Sequence, residues 1–160
     1  DDLFEGRWRP RAGPLDMKGL EEGGDDLEEA INKAVEFHGH LGPFLVLGVR
    51  MGLLARRELD SAPGEMVAVV KTGAVPSLSC LLDGIQVSAG CTLGRGNIST
   101  GPLGIAEAEF SARGRMVTIR ARDEVVGEIR SWRERYASLE EVARSISKRS
   151  DEELFEPSWL

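Results

Sequence analysis

A chain of 160 residues falls within the size of a single domain and is long enough to bury a core. At 41% hydrophobic and 29% charged, its composition is ordinary for a soluble globular protein. A net charge of -7 argues against non-specific binding to nucleic acid.

Residues 1–25 carry Phe4, Trp8, Pro10, Pro14 and then a Glu/Gly/Asp run, without helical or strand period and without an apolar signal-peptide core. They are expected to form an extended or disordered arm on which Phe4 and Trp8 could pack against a partner subunit. The sequence does not start with Met, as after processing or trimming. From Asp26 the pattern turns helical. Asp26-Leu27-Glu28-Glu29 offers a capping box, and Leu27, Ile31, Ala34, Val35 and either Phe37 or His38 form an apolar stripe.

The next stretch, Phe37-His38-Gly39-His40-Leu41-Gly42-Pro43, contains both histidines of the chain. Two positions apart, they cannot share a helix face, but around a flexible glycine their rings can converge on a metal or a substrate. Pro43 then suits the first position of a new helix, where its missing N–H costs nothing. That helix is predicted over 43–59, nearly apolar at its start, with Gly48 and Gly52 four apart and open to a close neighbour. Asp60-Ser61-Ala62-Pro63-Gly64 reads as a turn and Met66–Val70 as a buried strand. Lys71, at the strand's end, is a candidate acid/base or orienting group.

Both cysteines follow. Pro76-Ser77 signals a helix start, and Leu78, Leu81, Leu82, Ile85 and Ala89 recur at helical spacing until Gly90. Cys80 falls in the first turn, where the helix dipole can lower a thiol pKa, or where the residue can serve as a small hydrophobe. Asp83 lies one turn on, on the same face. On a continuous helix Cys80 and Cys91 stand about 16 Å apart, too far for a disulfide or for one shared metal ion within a chain. Free thiols near histidines suit a reducing cytoplasmic setting.

Gly90-Cys91-Thr92-Leu93-Gly94-Arg95-Gly96-Asn97 is a glycine-rich loop whose amides, with Arg95 and Asn97, could meet an anionic or carbonyl group. No Lys-Ser/Thr follows, so it is not a Walker loop. Segments 104–110 and 115–121 read as a hairpin around Ala112-Arg113-Gly114. Two helices, over about 124–136 and 138–147, close the chain, the second opening on a Ser138-Leu139-Glu140-Glu141 capping box. The fold class expected is α+β: a single domain over 26–160, with a small, mostly antiparallel sheet packed against several helices.

Taken in order, Phe37-His38-Gly39-His40, Asp83-x-Ile85-Gln86 and Gly90-Cys91-Thr92-x-Gly94-Arg95-Gly96-Asn97 resemble motifs of the formylmethanofuran dehydrogenase FmdE family. The resemblance runs from about Asp26 to Phe155. It implies an α+β core that forms homodimers, a His/Cys pocket able to hold a transition metal, and a link to one-carbon or molybdenum and tungsten enzyme chemistry. Many members of that family carry Cys-Pro-Gly after His-Gly-His-x, where this chain has Gly42-Pro43-Phe44. A third thiolate is therefore missing, and with no cysteine after Cys91 a C-terminal Cys-x-x-Cys zinc finger is missing too.

The leading expectation is a metal-binding enzyme or accessory domain. His38, His40 and one cysteine, Cys91 ahead of Cys80, would hold a divalent transition metal, zinc first among them, and leave a position open. Cys80, Asp83 and Lys71 would be the catalytic or orienting groups. Gln86, Thr92, Gly94, Arg95 and Asn97 would shape a cofactor pocket, with a pterin-like ligand implied by the resemblance. One rival is a non-catalytic module bringing metal or cofactor to a molybdenum or tungsten oxidoreductase. Another is a structural homodimer with an incidental His/Cys cluster. No nucleic-acid or membrane partner is expected.

Overall fold

A computed structural model describes residues 24–160. The expected arm over 1–25 lies almost wholly outside this range. In chain order the elements are α1 (Gly24–His38), α2 (Pro43–Leu59), β1 (Val67–Val70), α3 (Cys80–Ala89), β2 (Ile98–Thr100), β3 (Glu107–Ala112) and β4 (Arg115–Ala121). There follow α4 (Asp123–Arg130), a 3-10 turn (Trp132–Glu134), α5 (Leu139–Lys148), α6 (Asp151–Leu154) and β5 (Phe155–Trp159). The architecture is single-domain α+β, as the patterning predicts. Among the described residues, no helix is long and apolar enough to cross a membrane.

The sheet has the order β2-β1-β3-β4-β5. Only the β1/β2 pair is parallel, and the others are antiparallel. Strand alternation sorts the two faces. Ala68, Val70, Ala108, Phe110, Val117 and Ile119 point into the core, while Glu107, Glu109 and Ser111 point away from it. The parallel connection runs through α3, whose Leu81, Ile85 and Ala89 join the same buried core as the inward-facing sheet residues.

Helix α2 is the centre of the molecule, with Leu45, Val46, Leu47, Val49 and Met51 all buried. Extended Gly42 precedes it and Pro43 occupies its first turn, as the sequence predicts; it ends on Asp60 in the left-handed region. Gly48 and Gly52 face α3, and Gly84 of α3 faces back toward α2. A Cβ on Gly48 would fall on the Leu81 carbonyl, and one on Gly84 would fall on the Leu45 carbonyl and within 2.6 Å of the Val49 nitrogen. The two helices thus meet backbone to backbone. Arg56 ties the far end of this seam by donating to the Ser88 carbonyl at 3.3 Å.

The hairpin between β3 and β4 turns on Arg113 and Gly114, both at positive φ, which is the type I′ requirement for two-residue loops. Arg113 Nη2 donates to the Leu59 carbonyl at 2.7 Å and fastens the turn to the end of α2. Ser138 caps α5 by accepting from the Glu141 amide at 3.2 Å, while Glu141 reaches back to the Ala137 amide at 2.9 Å.

Several boundaries differ from the sequence reading. Helix α1 begins at Gly24 rather than Asp26, and His38, not the 60%-exposed Phe37, completes its inner stripe. Helix α3 starts at Cys80, with residues 77–79 in turns before it. The helix predicted to reach Tyr136 stops at Arg130, where the Ser131 hydroxyl bonds back to the Gly127 carbonyl at 2.8 Å and a 3-10 turn follows. Strands β2 and β5 were not expected.

Candidate functional site

Helix α1 ends by delivering His38 to the mouth of the α1–α2 junction. Gly39 follows at φ +108, a conformation that a side chain would strain, and so the chain reverses within one residue and presents His40 beside its neighbour. The two imidazole centroids are 4.7 Å apart with a 42° tilt. The rings thus lie side by side around the glycine, each bordering a different cavity. His40 is solvent-exposed, whereas the His38 side chain is only 13% exposed.

Asp83 comes from the first turn of α3. Its Oδ2 meets His38 Nδ1 at 2.6 Å, and its Oδ1 accepts from Gln86 Nε2 at 3.1 Å. Gln86 in turn accepts from the Leu93 amide at 3.2 Å, which links the carboxylate to the glycine-rich loop. On the other side of the ring, His38 Nε2 is buried and has no hydrogen-bond partner. A buried polar atom left bare costs free energy and is uncommon.

A cavity of about 420 Å³ opens beside this pair, lined by His38, Cys80, Asp83 and Gln86 together with residues of the loop after β1 and of β2. A smaller cavity of about 240 Å³ reaches His40 and again touches Cys80. Cys80 is thus the shared wall between the spaces that the two histidines border. Burial, followed by the charge of Asp83, pushes its thiol pKa up, a backbone hydrogen bond offsetting part of this. The lowering expected from the helix dipole is outweighed, and the thiol is protonated at neutral pH.

Cys91 lies elsewhere. It has no exposed surface, its Sγ contacts the Met66 carbonyl at 3.4 Å, and burial pushes its pKa up to about 11. The fold does not gather it with the histidines: among the described residues no three His, Cys, Asp or Glu side chains form a ready metal-holding group. Both thiols are free. With iodoacetamide at pH 8, Cys80 is expected to alkylate, slowly for a free thiol. Cys91 is expected to react only when the protein is unfolded. Peptide mapping reads both, and Cys91 labelling ahead of Cys80 in the native protein would contradict this placement.

Lys71 also stands apart. It carries the chain onto the sheet's outward face, where its Nζ meets Glu107 at 2.6 Å and Glu109 at 3.0 Å. Hydrogen bonds to Glu107 and then to Glu109 raise its pKa, so it holds its proton and is poorly suited to acid/base work near neutrality. It does not line the His38 cavity.

Of the five residues expected to shape a cofactor pocket, only Gln86 lines that cavity. Asn97 folds the glycine-rich loop on itself, accepting from the Thr92 amide at 2.8 Å and donating to the Met66 and Gly90 carbonyls at 3.1 and 3.3 Å. The Thr92 hydroxyl accepts from the Arg95 amide at 3.2 Å. The Arg95 guanidinium lies over Gly64, and Gly94 has open space around it.

Several lining residues were not foreseen: Ala74, Pro76, Ser79, Leu82, Leu93 and the strand Ile98–Thr100. The one available signal was the pair of β-branched residues in Ile98-Ser99-Thr100, too short to stand out without its partner strand.

Residues 37–156 match the family described as "FmdE, Molybdenum formylmethanofuran dehydrogenase operon". A tungsten formylmethanofuran dehydrogenase FmdE-like protein from Syntrophus aciditrophicus has a similar structure. Its TM-score is 0.65 at 26% identity, with 84% of this chain and 71% of that chain covered. A probable S-adenosyl-L-methionine-binding protein from Archaeoglobus fulgidus is 40% identical over 74 residues, or 45% of this chain. The match spans only 20% of that relative's length.

Proposed function

The chain belongs to the FmdE family, and from that premise we propose that it is a metal-binding module serving a molybdenum or tungsten formylmethanofuran dehydrogenase-type oxidoreductase, as an enzyme or an accessory. The observation that carries the metal reading is His38. Its Nδ1 is held by a carboxylate and its Nε2 is buried and bare, the arrangement in which an outer carboxylate orients a metal-bound imidazole.

With Nδ1 donating to Asp83, the lone pair of Nε2 is the one available to a ligand-hungry ion. His40 supplies a second imidazole, and Cys80 rather than Cys91 supplies the thiolate because it borders the cavities of both histidines. Two imidazoles and a thiolate suit zinc and leave a fourth position open. Closing this set requires rotation of His40 and Cys80, which the exposed His40 on its Gly39 hinge can supply. A divalent ion held there would polarise a carbonyl or acidify a bound water. Gln86 steadies Asp83, and the 420 Å³ cavity would receive a one-carbon or pterin-like ligand.

Cys80 must give up its proton to serve, so zinc uptake is expected to weaken as pH falls. The non-catalytic alternative is metal or cofactor delivery to the larger oxidoreductase, a role favoured by the incompletely gathered donors. Free thiols support a cytoplasmic setting. The exposed Val67 and Val69 on the outward sheet face support a homodimer.

Elemental analysis of the untagged protein, paired with zinc titration, tests the site. One zinc per chain is expected in the wild type and in Cys91→Ala, with loss in His38→Ala, His40→Ala and Cys80→Ala. A wild type that takes up no metal, or a Cys80→Ala variant that keeps it, would overturn the assignment.

A further inference from the structure

We propose that the smaller cavity is a subsite for a one-ring planar carboxylate, its charge on Arg130 and its far edge against His40 and Cys80. The slot is bounded by α2, α3, α4 and the 3-10 turn. Phe44, Leu45, Ile129 and Trp132 supply apolar and aromatic walls, while the polar side chains are those of His40, Ser77, Cys80 and Arg130. At about 240 Å³ it falls below the ~300–1,000 Å³ usual for drug-sized ligands, which limits it to something near one ring.

Arg130 decides the sign of the ligand. Arg149, Arg122 and Arg50 are tied to the carboxylates of Glu128, Glu156 and Asp151, and Arg133 lies over the Trp132 ring, 4.9 Å from its centroid. The Arg130 side chain is solvent-exposed and makes no hydrogen bond or ion pair with another described residue. It borders both the slot and an adjoining cavity lined by Thr72, Val75 and Ser77. A position in the last turn of α4 would place a cation favourably on the helix dipole, but that role needs no slot. A guanidinium fork at an apolar, aromatic-walled opening is built for a planar carboxylate, which it can grip through two parallel hydrogen bonds. Phe44 and Trp132, whose ring already carries Arg133 over it, supply aromatic surface beside an unsaturated ring.

The inference adds a second ligand beside the one proposed for the larger cavity and rests on the metal reading only for the chemistry at the His40 end. Binding at Arg130 needs no metal, so the two ideas fail separately.

The test uses the full chain, nitrogen-labelled, with benzoate as the probe, in EDTA and again with zinc. The chain has three tryptophans, and Trp132→Phe assigns the indole N–H of Trp132. Benzoate is expected to shift that signal and the amides of 129–132 in both buffers. Uncharged benzamide should do so far more weakly, and Arg130→Gln should weaken benzoate at least about tenfold, the scale of a charge-assisted hydrogen bond. Equal binding of benzoate and benzamide, unchanged affinity in Arg130→Gln, or shifts confined to another face would overturn it. Inorganic phosphate shifting the same signals as strongly as benzoate would also overturn it, because the ring would then contribute nothing. Benzoate binding in EDTA by a protein that takes up no zinc would leave the subsite standing and remove only the metal reading.

Discussion

Gly84→Ala is expected to lower the melting temperature by roughly 4–8 °C, although the same change in most helices is stabilising. Alanine gains about 1 kcal/mol over glycine in a helix interior through propensity alone. Here the added methyl would meet the Leu45 carbonyl, the Val49 nitrogen and the Gly48 carbonyl carbon, all backbone atoms. A flexible side chain could rotate away; two packed helix backbones can only separate. Overfilling costs about 1–3 kcal/mol, and against the Leu45 carbonyl oxygen the upper end applies, about 2 kcal/mol beyond the propensity gain. Gly127→Ala is the matched control. Gly127 sits within α4 with nothing inside 4 Å of its would-be Cβ, so its substitution should be neutral or stabilising by up to about 1 kcal/mol. Thermal melts of the two variants side by side decide the matter. If Gly84→Ala melts as high as Gly127→Ala, the backbone contact between α2 and α3 is not as close as described.

The second large effect is expected at Asp83. Asp83→Ala should weaken zinc binding about 10–100-fold while leaving the proposed ligands His38, His40 and Cys80 in place, the usual penalty for removing an outer-shell partner of a ligating histidine. The cause is positional. Without the 2.6 Å contact to Nδ1, the His38 ring is free in both orientation and tautomer, and Gln86 loses its 3.1 Å acceptor. Competition against a chromophoric chelator at fixed pH measures the change. An affinity within twofold of wild type would mean that Asp83 holds the helix end or binds substrate and does not orient a ligand. Removing its charge also relieves part of what keeps the Cys80 thiol pKa high, so the Asp83→Ala variant should alkylate faster at Cys80 than the wild type.

The elements most legible in the sequence were those specified by local chemistry. Pro43 set the start of α2, the long apolar run fixed its burial, Arg113-Gly114 marked the hairpin, and Ser138 and Glu141 marked α5. All are choices a chain makes with its near neighbours. Strand β2 is different: three residues, Ile98–Thr100, held only by a parallel partner some thirty positions earlier. Nothing within Ile-Ser-Thr distinguishes it from loop. Strand β5 contains Pro157, which reads as a breaker but is tolerated at a sheet edge, where one side of the strand needs no donor.

The site divides in the same way. That His38 and His40 lie side by side was readable from the glycine between them, and that Asp83 could orient a histidine followed from its place one turn after Cys80. The placement of Cys91 was not readable. A glycine-rich loop looks equally available for ligand contact whether its cysteine turns outward or, as here, into the core beneath β1. Lys71 followed strand alternation onto the outward face, where Glu107 and Glu109 hold it. The sequence located the strand end without revealing which side of the sheet had chemistry.

The backbone contact between α2 and α3 has a mechanical consequence. Cys80, Asp83, Gln86 and the strand Ile98–Thr100 belong to one continuous span that runs from β1 through α3 to β2, whereas His38 and His40 arrive on the separate α1–α2 elbow. The candidate site therefore draws its side chains from two stretches of chain, and the α2–α3 seam sets how those stretches stand to one another. A side chain at Gly48 or Gly84 would thus push the helix that carries Cys80 and Asp83 away from the elbow that carries the imidazoles.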